Sequence, residues 1–298
     1  MDSEFWISEL TDDEVPAVIA LCRAALDVPE DAAEAAEIVL RLRETGGPTP
    51  RRTTGFVASS AEKIIGVVMG SVSHRDPSIG HIDLIAVDPD ERRRGVARAL
   101  MSRIEGALAG LGAGDVVIAG NPPYYAWPGI DVRYTPAICA AMAMGFEEDQ
   151  PAWNMTARLD DVDLFAKEIP GVVVRIATRD DLTELMEFAT KHWGRPWAWE
   201  IHDSVGRDRA GCYLATRSDE LLGFAAYGAR PNWFGPMGTA PAARGLGIGS
   251  VLLRRCLADQ KASGLNEVQI GWVGPMPFYS GVVGARVERV FFLYRKQI

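Results

Sequence analysis

Hydrophobic positions recur along this chain in one succession that occurs twice. In the first occurrence an apolar stretch, HIDLIAV, is followed by VDPDERRRGVARALM (Val87 to Met101), where a proline and arginines lead into a small-residue turn. Apolar positions at helical spacing follow, Ala97, Leu100, Met101 and Ile104. In the second, NWFGPMG precedes TAPAARGLGIGSVLL (Thr239 to Leu253), with Val251, Leu252, Cys256 and Leu257 as the helical face. An offset of 152 residues sets Pro89 on Pro241, Arg92 on Arg244, Gly95 on Gly247, Ala97 on Gly249, and Val116 of VVIAG on Val268 of VQIGW. Upstream, SSAEKIIGVVMG and TRSDELLGFAAYG each read as strand, polar turn and strand. Thr11-Asp-Asp-Glu14 and Thr178-Arg-Asp-Asp181 read as helix N-caps, an acid standing three residues after a threonine. Helices are expected after them, over Val15, Val18, Ile19 and Cys22 in one copy and Leu182, Leu185, Met186 and Phe188 in the other.

Both halves therefore follow the order strand, helices, three strands, helix, strand, and a period this long means a duplicated domain rather than a solenoid. The expected division is an N-terminal domain over 1–159, a linker over 160–171 where LDDVDLFAKEIPG loses periodicity, and a C-terminal domain over 172–298. The interval from Thr11 to Pro89 is 15 residues longer than that from Thr178 to Pro241, which places extra residues around Pro29 to Arg52. The first copy also carries a longer segment, NPPYYAWPGIDVRYTP, after its VVIAG strand.

Composition narrows the partners. With 48% hydrophobic and 24% charged residues, each half of the 298-residue chain can bury its own core. A net charge of −9 argues against a nucleic-acid surface or a basic membrane module. The four cysteines are scattered without a CxxC pair, so neither disulfides nor a metal site is expected. The start, MDSEFWISEL, is acidic and unlike a signal peptide. The uncharged run from Val268 to Ala285 is broken by Pro275, Pro277 and glycines, so no membrane span is expected. The expectation is a soluble cytoplasmic protein, monomer or homodimer.

The turn carries the chemistry. Small residues at Gly95 and Ala97, and at Gly245, Gly247 and Gly249, let backbone amides converge at a helix N-terminus, a site for an anion such as pyrophosphate. Arg92, Arg93, Arg94 and Arg98 add positive charge suited to a polyanionic cofactor. A dinucleotide fingerprint fails because Ser250 stands at the third glycine site, and the chain has no Gly-Lys-Ser/Thr, no G-x-S-x-G and no HExxH.

The pattern P-x-x-R-x-x-G-x-[GA] between strand and helix resembles motif A of the GNAT superfamily of acyl-CoA-dependent N-acyltransferases. PFYSGVVGARVERVFFLYRK, with Phe278, Tyr279 and Gly284, resembles the family's later FYxxxGF motif, one residue longer and with Ala285 in place of Phe. AAMAMGFEE offers Gly145 and Phe146, with Ala141 at the tyrosine position. The resemblance covers both halves and is similar to the tandem type known among mycothiol synthases and amino-sugar N-acetyltransferases. It implies an α/β (α+β) fold of two GNAT domains, each a mixed, mostly antiparallel sheet flanked by helices. It also implies acetyl-CoA as cofactor. The residues that would hold its coenzyme A moiety are Val87, Arg92, Arg94, Gly95, Val96, Ala97 and Arg98 in one copy. In the other they are Thr239, Arg244, Leu246, Gly247, Ile248, Gly249 and Ser250.

Acyl transfer to an amine needs a base for the ammonium, a polarised carbonyl and a proton for the departing thiolate. The resemblance makes Asp83 a candidate base, with a polar strand residue as the plain alternative; Gly235 stands at the same place in the second copy. His81 is two residues earlier on the same strand face. Tyr279 holds the family's general-acid position. In the first copy the counterpart is open between Tyr125, if GNPPYY is set on GPMPFY, and the region after Tyr134, if the helices are matched. Asp131 and Tyr134 are substrate candidates, Asp131 for a cationic group. Trp193, Trp197 and Trp199 could line a sugar pocket or pack a helix, and F-x-x-x-x-WGR (188–195) is similar to the amino-sugar type, which implies a glucosamine-like acceptor with Trp193 against it. The expected activity is acetyl transfer from acetyl-CoA to a primary amine of a small molecule. Two readings stand beside it: a non-catalytic acyl-CoA-binding module, and an acetyltransferase of protein or peptide amines.

Overall fold

The computed structural model describes residues 5–46, 51–61, 63–73 and 75–298; residues 1–4 and positions 47–50 of the expected insertion lie outside it. The chain runs β1 (Trp6–Glu9), α1 (Val15–Ala25), α2 (Pro29–Ala33), α3 (Ala35–Arg43), β2 (Thr53–Ser60), β3 (Lys63–Val72), β4 (Ile79–Val87), α4 (Val96–Gly110), β5 (Asp115–Ile118), β6 (Ile130–Asp131), α5 (Thr135–Ala143) and β7 (Glu147–Arg158). It continues through β8 (Val173–Ile176), α6 (Leu182–Trp193), α7 (Arg195–Ser204), β9 (Gly211–Arg217), β10 (Glu220–Tyr227), β11 (Trp233–Thr239), α8 (Ile248–Ala262), β12 (Glu267–Ile270), α9 (Met276–Val283) and β13 (Arg286–Gln297). The 152-residue offset holds from the turn through the following strand: it carries both ends of α4 onto α8 and both ends of β5 onto β12. Both threonine caps form, with the carboxylates of Glu14 and Asp181 accepting at 2.8 Å from the backbone N–H of Thr11 and Thr178.

Two compact units result, one of Met1–Pro151 with Phe291–Ile298, the other of Ala152–Val290. In the first, β1 to β4 pair antiparallel in sequence order, β4 pairs parallel with β5, and β5 pairs antiparallel with Tyr294–Gln297 of β13. In the second, β8 to β11 pair antiparallel, β11 pairs parallel with β12, and β12 pairs antiparallel with Met155–Arg158 of β7. Each is a mixed, mostly antiparallel sheet flanked by helices, the fold class expected from the sequence. In each unit the strand beside the shorter parallel strand comes from the end of the other repeat, an exchange that the repeat alone does not disclose.

The helix after the turn anchors each core. In the first unit Val96, Leu100, Met101, Ile104 and Leu108 of α4 are buried among Phe56, Ile65, Val68 and Ile82 of the sheet. Burying each such side chain contributes about 1.5–3 kcal/mol. The close approach needs glycine beneath the helix: a Cβ on Gly70 would stand 2.9 Å from Ile104 Cδ1 and 2.6 Å from the His81 carbonyl. Gly70→Val is expected to cost at least about 1–3 kcal/mol by overpacking, read as a lower denaturation midpoint with unchanged slope. Among the described residues no helix is long and apolar enough to cross a membrane.

Candidate active site

The site of the N-terminal unit starts where β4 and β5 part. Their parallel pairing covers Ile79 to His81 against Asp115 to Val117; beyond it β4 runs on to Val87 without a β5 partner. The wedge so opened is a cavity of about 820 Å³, walled by Ile82 to Val87 of β4, the first turn of α4, the loop 125–131 and α5. The face that α5 turns to the cavity is made of small residues, Ala137, Ala140, Ala141 and Ala143 together with Thr135, Pro136 and Cys139. A β-bulge lies in the middle of the β4 wall: Met69 opposes Leu84 and Gly70 opposes Ile82, which leaves Asp83 as the extra residue.

At one end of the cavity is the glycine turn. Gly95 takes φ +86° as it enters α4, and no atom lies within 4 Å of the place its Cβ would fill. No backbone carbonyl accepts from the amides of Arg93 to Arg98 among the described residues, so they converge unpaired at the positive end of a 15-residue helix. The arginines divide their work. Arg92 donates to the Ala25 carbonyl at 2.8 Å and pairs with Asp27 at 3.2 Å, while Arg94 pairs with Glu91 at 2.7 Å. Arg93 and Arg98 are exposed and make no ion pair among the described residues, so they carry the uncommitted charge beside the turn. The side chain of Val96 goes into the core, so it offers the site only its amide.

Near the bulge lies a buried polar cluster. The carboxylate of Asp83 is 1% exposed and accepts from Arg51, itself wholly buried, at 2.8 Å. Arg51 also donates to Ser71 Oγ at 2.9 Å and to the Leu42 carbonyl at 3.0 Å, and its guanidinium lies 5.9 Å from the ring centre of Tyr124. Asn121 donates to the same Ser71 hydroxyl at 2.9 Å, and His81 donates from Nδ1 to the Ala119 carbonyl at 2.9 Å. Burial pushes the Asp83 carboxyl up to about 6, against the pull of Arg51 and the Ser71 hydroxyl. It thus changes charge close to neutrality.

A third group closes the loop side. The buried carboxylate of Asp31 accepts from Trp127 Nε1 and from the Tyr134 hydroxyl, both at 3.0 Å. Asp131 is buried and accepts from Nε and Nη2 of Arg133 at 3.0 and 2.9 Å, and Arg133 reaches on to Glu30 at 2.7 Å. Asp31 and Arg51 both come from the region of extra residues around 29–52; neither lines the cavity itself, but they hold Trp127, Tyr134 and Asp83, which do. They escaped sequence reasoning because only their spacing relative to the second copy marked them, not any motif.

Of the expected residues, Asp83, Val87, Arg92, Gly95, Val96, Ala97, Arg98, Asp131 and Tyr134 line this one cavity, and Arg94 lies beside it. Thr239, Arg244, Leu246, Gly247, Ile248, Gly249 and Ser250 occupy the corresponding turn of the C-terminal unit. There Gly247 takes φ +82°, and no backbone carbonyl accepts from the amides of Gly245 to Ser250 among the described residues. Gly235 is again at a bulge, between Ala225 and Tyr227 of β10. Tyr279 lies in α9 within the core of that unit. The two helix ends differ by one residue: the Ala141 carbonyl accepts from Phe146, five residues on, and the Tyr279 carbonyl accepts from Ala285, six residues on. Tyr125 lies in the preceding loop and also lines the cavity. Trp193 stacks on Trp197 at 5.4 Å and meets Phe224 edge-on at 5.6 Å, covering Gly238 of β11; it lines no part of the N-terminal cavity.

A parallel strand pair that splays beside an amide-lined helix N-terminus, built twice in one chain, defines a tandem acyltransferase. The chain belongs to the acetyltransferase (GNAT) family, whose model matches residues 20–123 and 179–275. Mycothiol acetyltransferase of Thermomonospora curvata is 28% identical over 278 residues, 88% of this chain and 85% of that one. Mycothiol acetyltransferase of Geodermatophilus obscurus is 29% identical over 275 residues, 85% of this chain and 84% of that one. Among solved structures, the GCN5-related glucosamine N-acetyltransferase region of a fungal multi-domain β-N-acetylglucosaminidase has a TM-score of 0.78 at 18% identity. The match covers 99% of this chain and 38% of that one. A tandem GNAT protein from the clavulanic acid biosynthesis pathway has a TM-score of 0.73 at 17% identity, covering 99% and 98%. The family generally uses acetyl-CoA as acyl donor.

Proposed function

We propose that the protein moves an acetyl group from acetyl-CoA to the primary amine of a small molecule, by direct attack in a ternary complex, within the cavity of the N-terminal unit. The observation that carries this is continuity: one cavity joins the unpaired amides of the turn to the bulged strand that bears Asp83. The turn fits a pyrophosphate, with convergent amides, open space over Gly95 and the uncommitted Arg93 and Arg98. Val87, Ala97 and the partnerless edge of β4 fit the amide-bearing arm that follows. The donor supplies an activated thioester carbon.

The chain's own groups do the rest. Asp83, ionised above about pH 6, receives the proton that the acceptor ammonium must shed, and Arg51 holds the ionised carboxylate in place. The free edge of β4 is the source of a backbone N–H for the developing oxyanion. Tyr125, which lines the cavity, is the phenol assigned to the departing thiolate. The acidic loop side, with Asp31 and Asp131, favours a cationic acceptor. A glucosamine-like amine is the first class to test, consistent with the name of one structural likeness.

The experiment is thiol release from acetyl-CoA over a panel of amines that includes glucosamine and peptides. Release with one small-molecule class is expected. Replacing Arg93 and Arg98 together by alanine should raise the KM for acetyl-CoA about tenfold or more, since a charge-assisted contact contributes about 1.5–3 kcal/mol, with kcat little changed. Coenzyme A binding without release on any amine would make the protein a binding module and overturn the proposal.

A further inference from the structure

The two copies share a backbone but not a cleft. Where α5 turns alanines to the cavity, α9 carries Phe278 and Tyr279. The Phe278 ring reaches the first turn of α8: a Cβ on Gly249 would lie 3.3 Å from Phe278 Cζ and 3.6 Å from Thr239 Oγ1. Thr239 and Gly249 are the counterparts of Val87 and Ala97, which line the open cavity of the N-terminal unit. Phe278 therefore occupies the passage between the end of β11 and α8. Tyr279 packs beside it, meeting Phe278 at 5.0 Å and Phe234 at 6.2 Å, buried with Ile248, Leu252 and Val283.

A strap closes in from a second side. Val162, Leu164 and Ile169 pack against the same core, and Ile169 Cδ1 comes within 3.9 Å of where a Cβ on Gly247 would stand. Arg254 ties the pieces together across the start of α8. It donates to the Asp163 carbonyl at 3.0 Å, to the Val282 carbonyl of α9 at 3.1 Å, and to the Ser250 hydroxyl. Ser102 stands at the equivalent place in the first copy, with no comparable reach. Gly245 to Gly247 stay exposed, so the closure lies beyond the turn, along the path that a thioester-bearing arm must follow.

We infer that the N-terminal unit alone takes the acyl-CoA donor, the cleft of the C-terminal unit being filled by Phe278 and the strap over residues 162–172 that Arg254 fastens. This rests on the donor reading given above. The C-terminal copy then keeps the fold of a transferase for its structural part, without its ligand.

Calorimetric titration of the full chain with coenzyme A tests it, read together with amide hydrogen exchange. One equivalent per chain is expected, with protection confined to peptides covering 91–101 and none over 243–252. Ala97→Glu, which sets a carboxylate in the N-terminal turn, should take the stoichiometry from one to zero, its folding checked by circular dichroism. Two equivalents, protection over 243–252, or one equivalent retained in Ala97→Glu would each overturn the inference. An absence of any binding to the unaltered chain would overturn the donor reading itself, a result distinct from the other three.

Discussion

A chain ended at Val290 is expected to lose acetyl transfer by about a hundredfold or more and to melt well below the full-length protein. The eight residues removed belong to the N-terminal unit, where they form the strand beside β5. Phe291, Leu293 and Tyr294 are each less than 5% exposed. Removing one large buried side chain costs about 2–5 kcal/mol, against about 5–15 kcal/mol for the stability of a whole domain. Three such losses together with the strand pairing exceed what the unit can lose and stay folded. The damage also reaches the cavity directly. Phe291 and Phe292 pair with Asp131 and Ile130 of β6, and a Cβ on Gly129 would stand 2.6 Å from the Phe292 carbonyl, so the loop wall is moulded on this strand. Tyr294→Ala is the graded form, with an expected cost of about 3–5 kcal/mol. Activity and a melting curve like those of the intact chain after truncation would show that the last strand does not hold the site.

Asp83→Asn should lower kcat/KM about 10²- to 10⁴-fold, the range for removal of a positioned base, while coenzyme A binding stays within a few-fold of normal. In the unaltered enzyme the rate should climb as pH rises through about 6, where the carboxyl ionises, and the residual activity of Asp83→Asn should lack that limb. Arg51→Met takes away the charge that pulls this carboxyl down, so the limb should move to higher pH. Breaking a buried pair from one side also costs about 3–5 kcal/mol, so the variant needs a lower assay temperature. The linkage sign is set by the raised value: the folded protein holds this proton more tightly than the unfolded chain. The contribution to stability is present below the ordinary carboxylate range and is lost as pH rises through about 6. Denaturant titrations at pH 5 and pH 7 should show that slope in the unaltered chain and not in Asp83→Asn. An unchanged pH profile in Asp83→Asn would remove this residue from the proton path.

Much of the fold was legible because its signals are local. The threonine caps, the helical stripe of α4 and the small residues before it depend on neighbours within a turn or two of chain, so a repeat of those residues is a repeat of those elements. The turn amides were legible for the same reason. The surroundings of Asp83 were not. Arg51 reaches it from 32 residues away, and Trp127 reaches Asp31 from 96 residues away. No period or motif ties residues at such separations; only the sheet and the packed helices bring them together. The division of labour among Arg92, Arg93, Arg94 and Arg98 was hidden likewise, since four arginines in one turn look alike until Ala25, Asp27 and Glu91 claim two of them.

The sequence by itself determined that one fold is used twice, that each use places a glycine turn between a strand and a helix, and that this turn suits an anion. Those properties reside in backbone geometry, which short stretches of residues specify. Tertiary structure decided which unit each terminal strand completes, and that the first turn of one helix opens on a cavity while Phe278 reaches the first turn of the other. Both depend on side chains and strand edges distant in sequence, alanines of α5 in one unit and Phe278 with the Arg254 strap in the other, whose sizes act only where packing makes them meet.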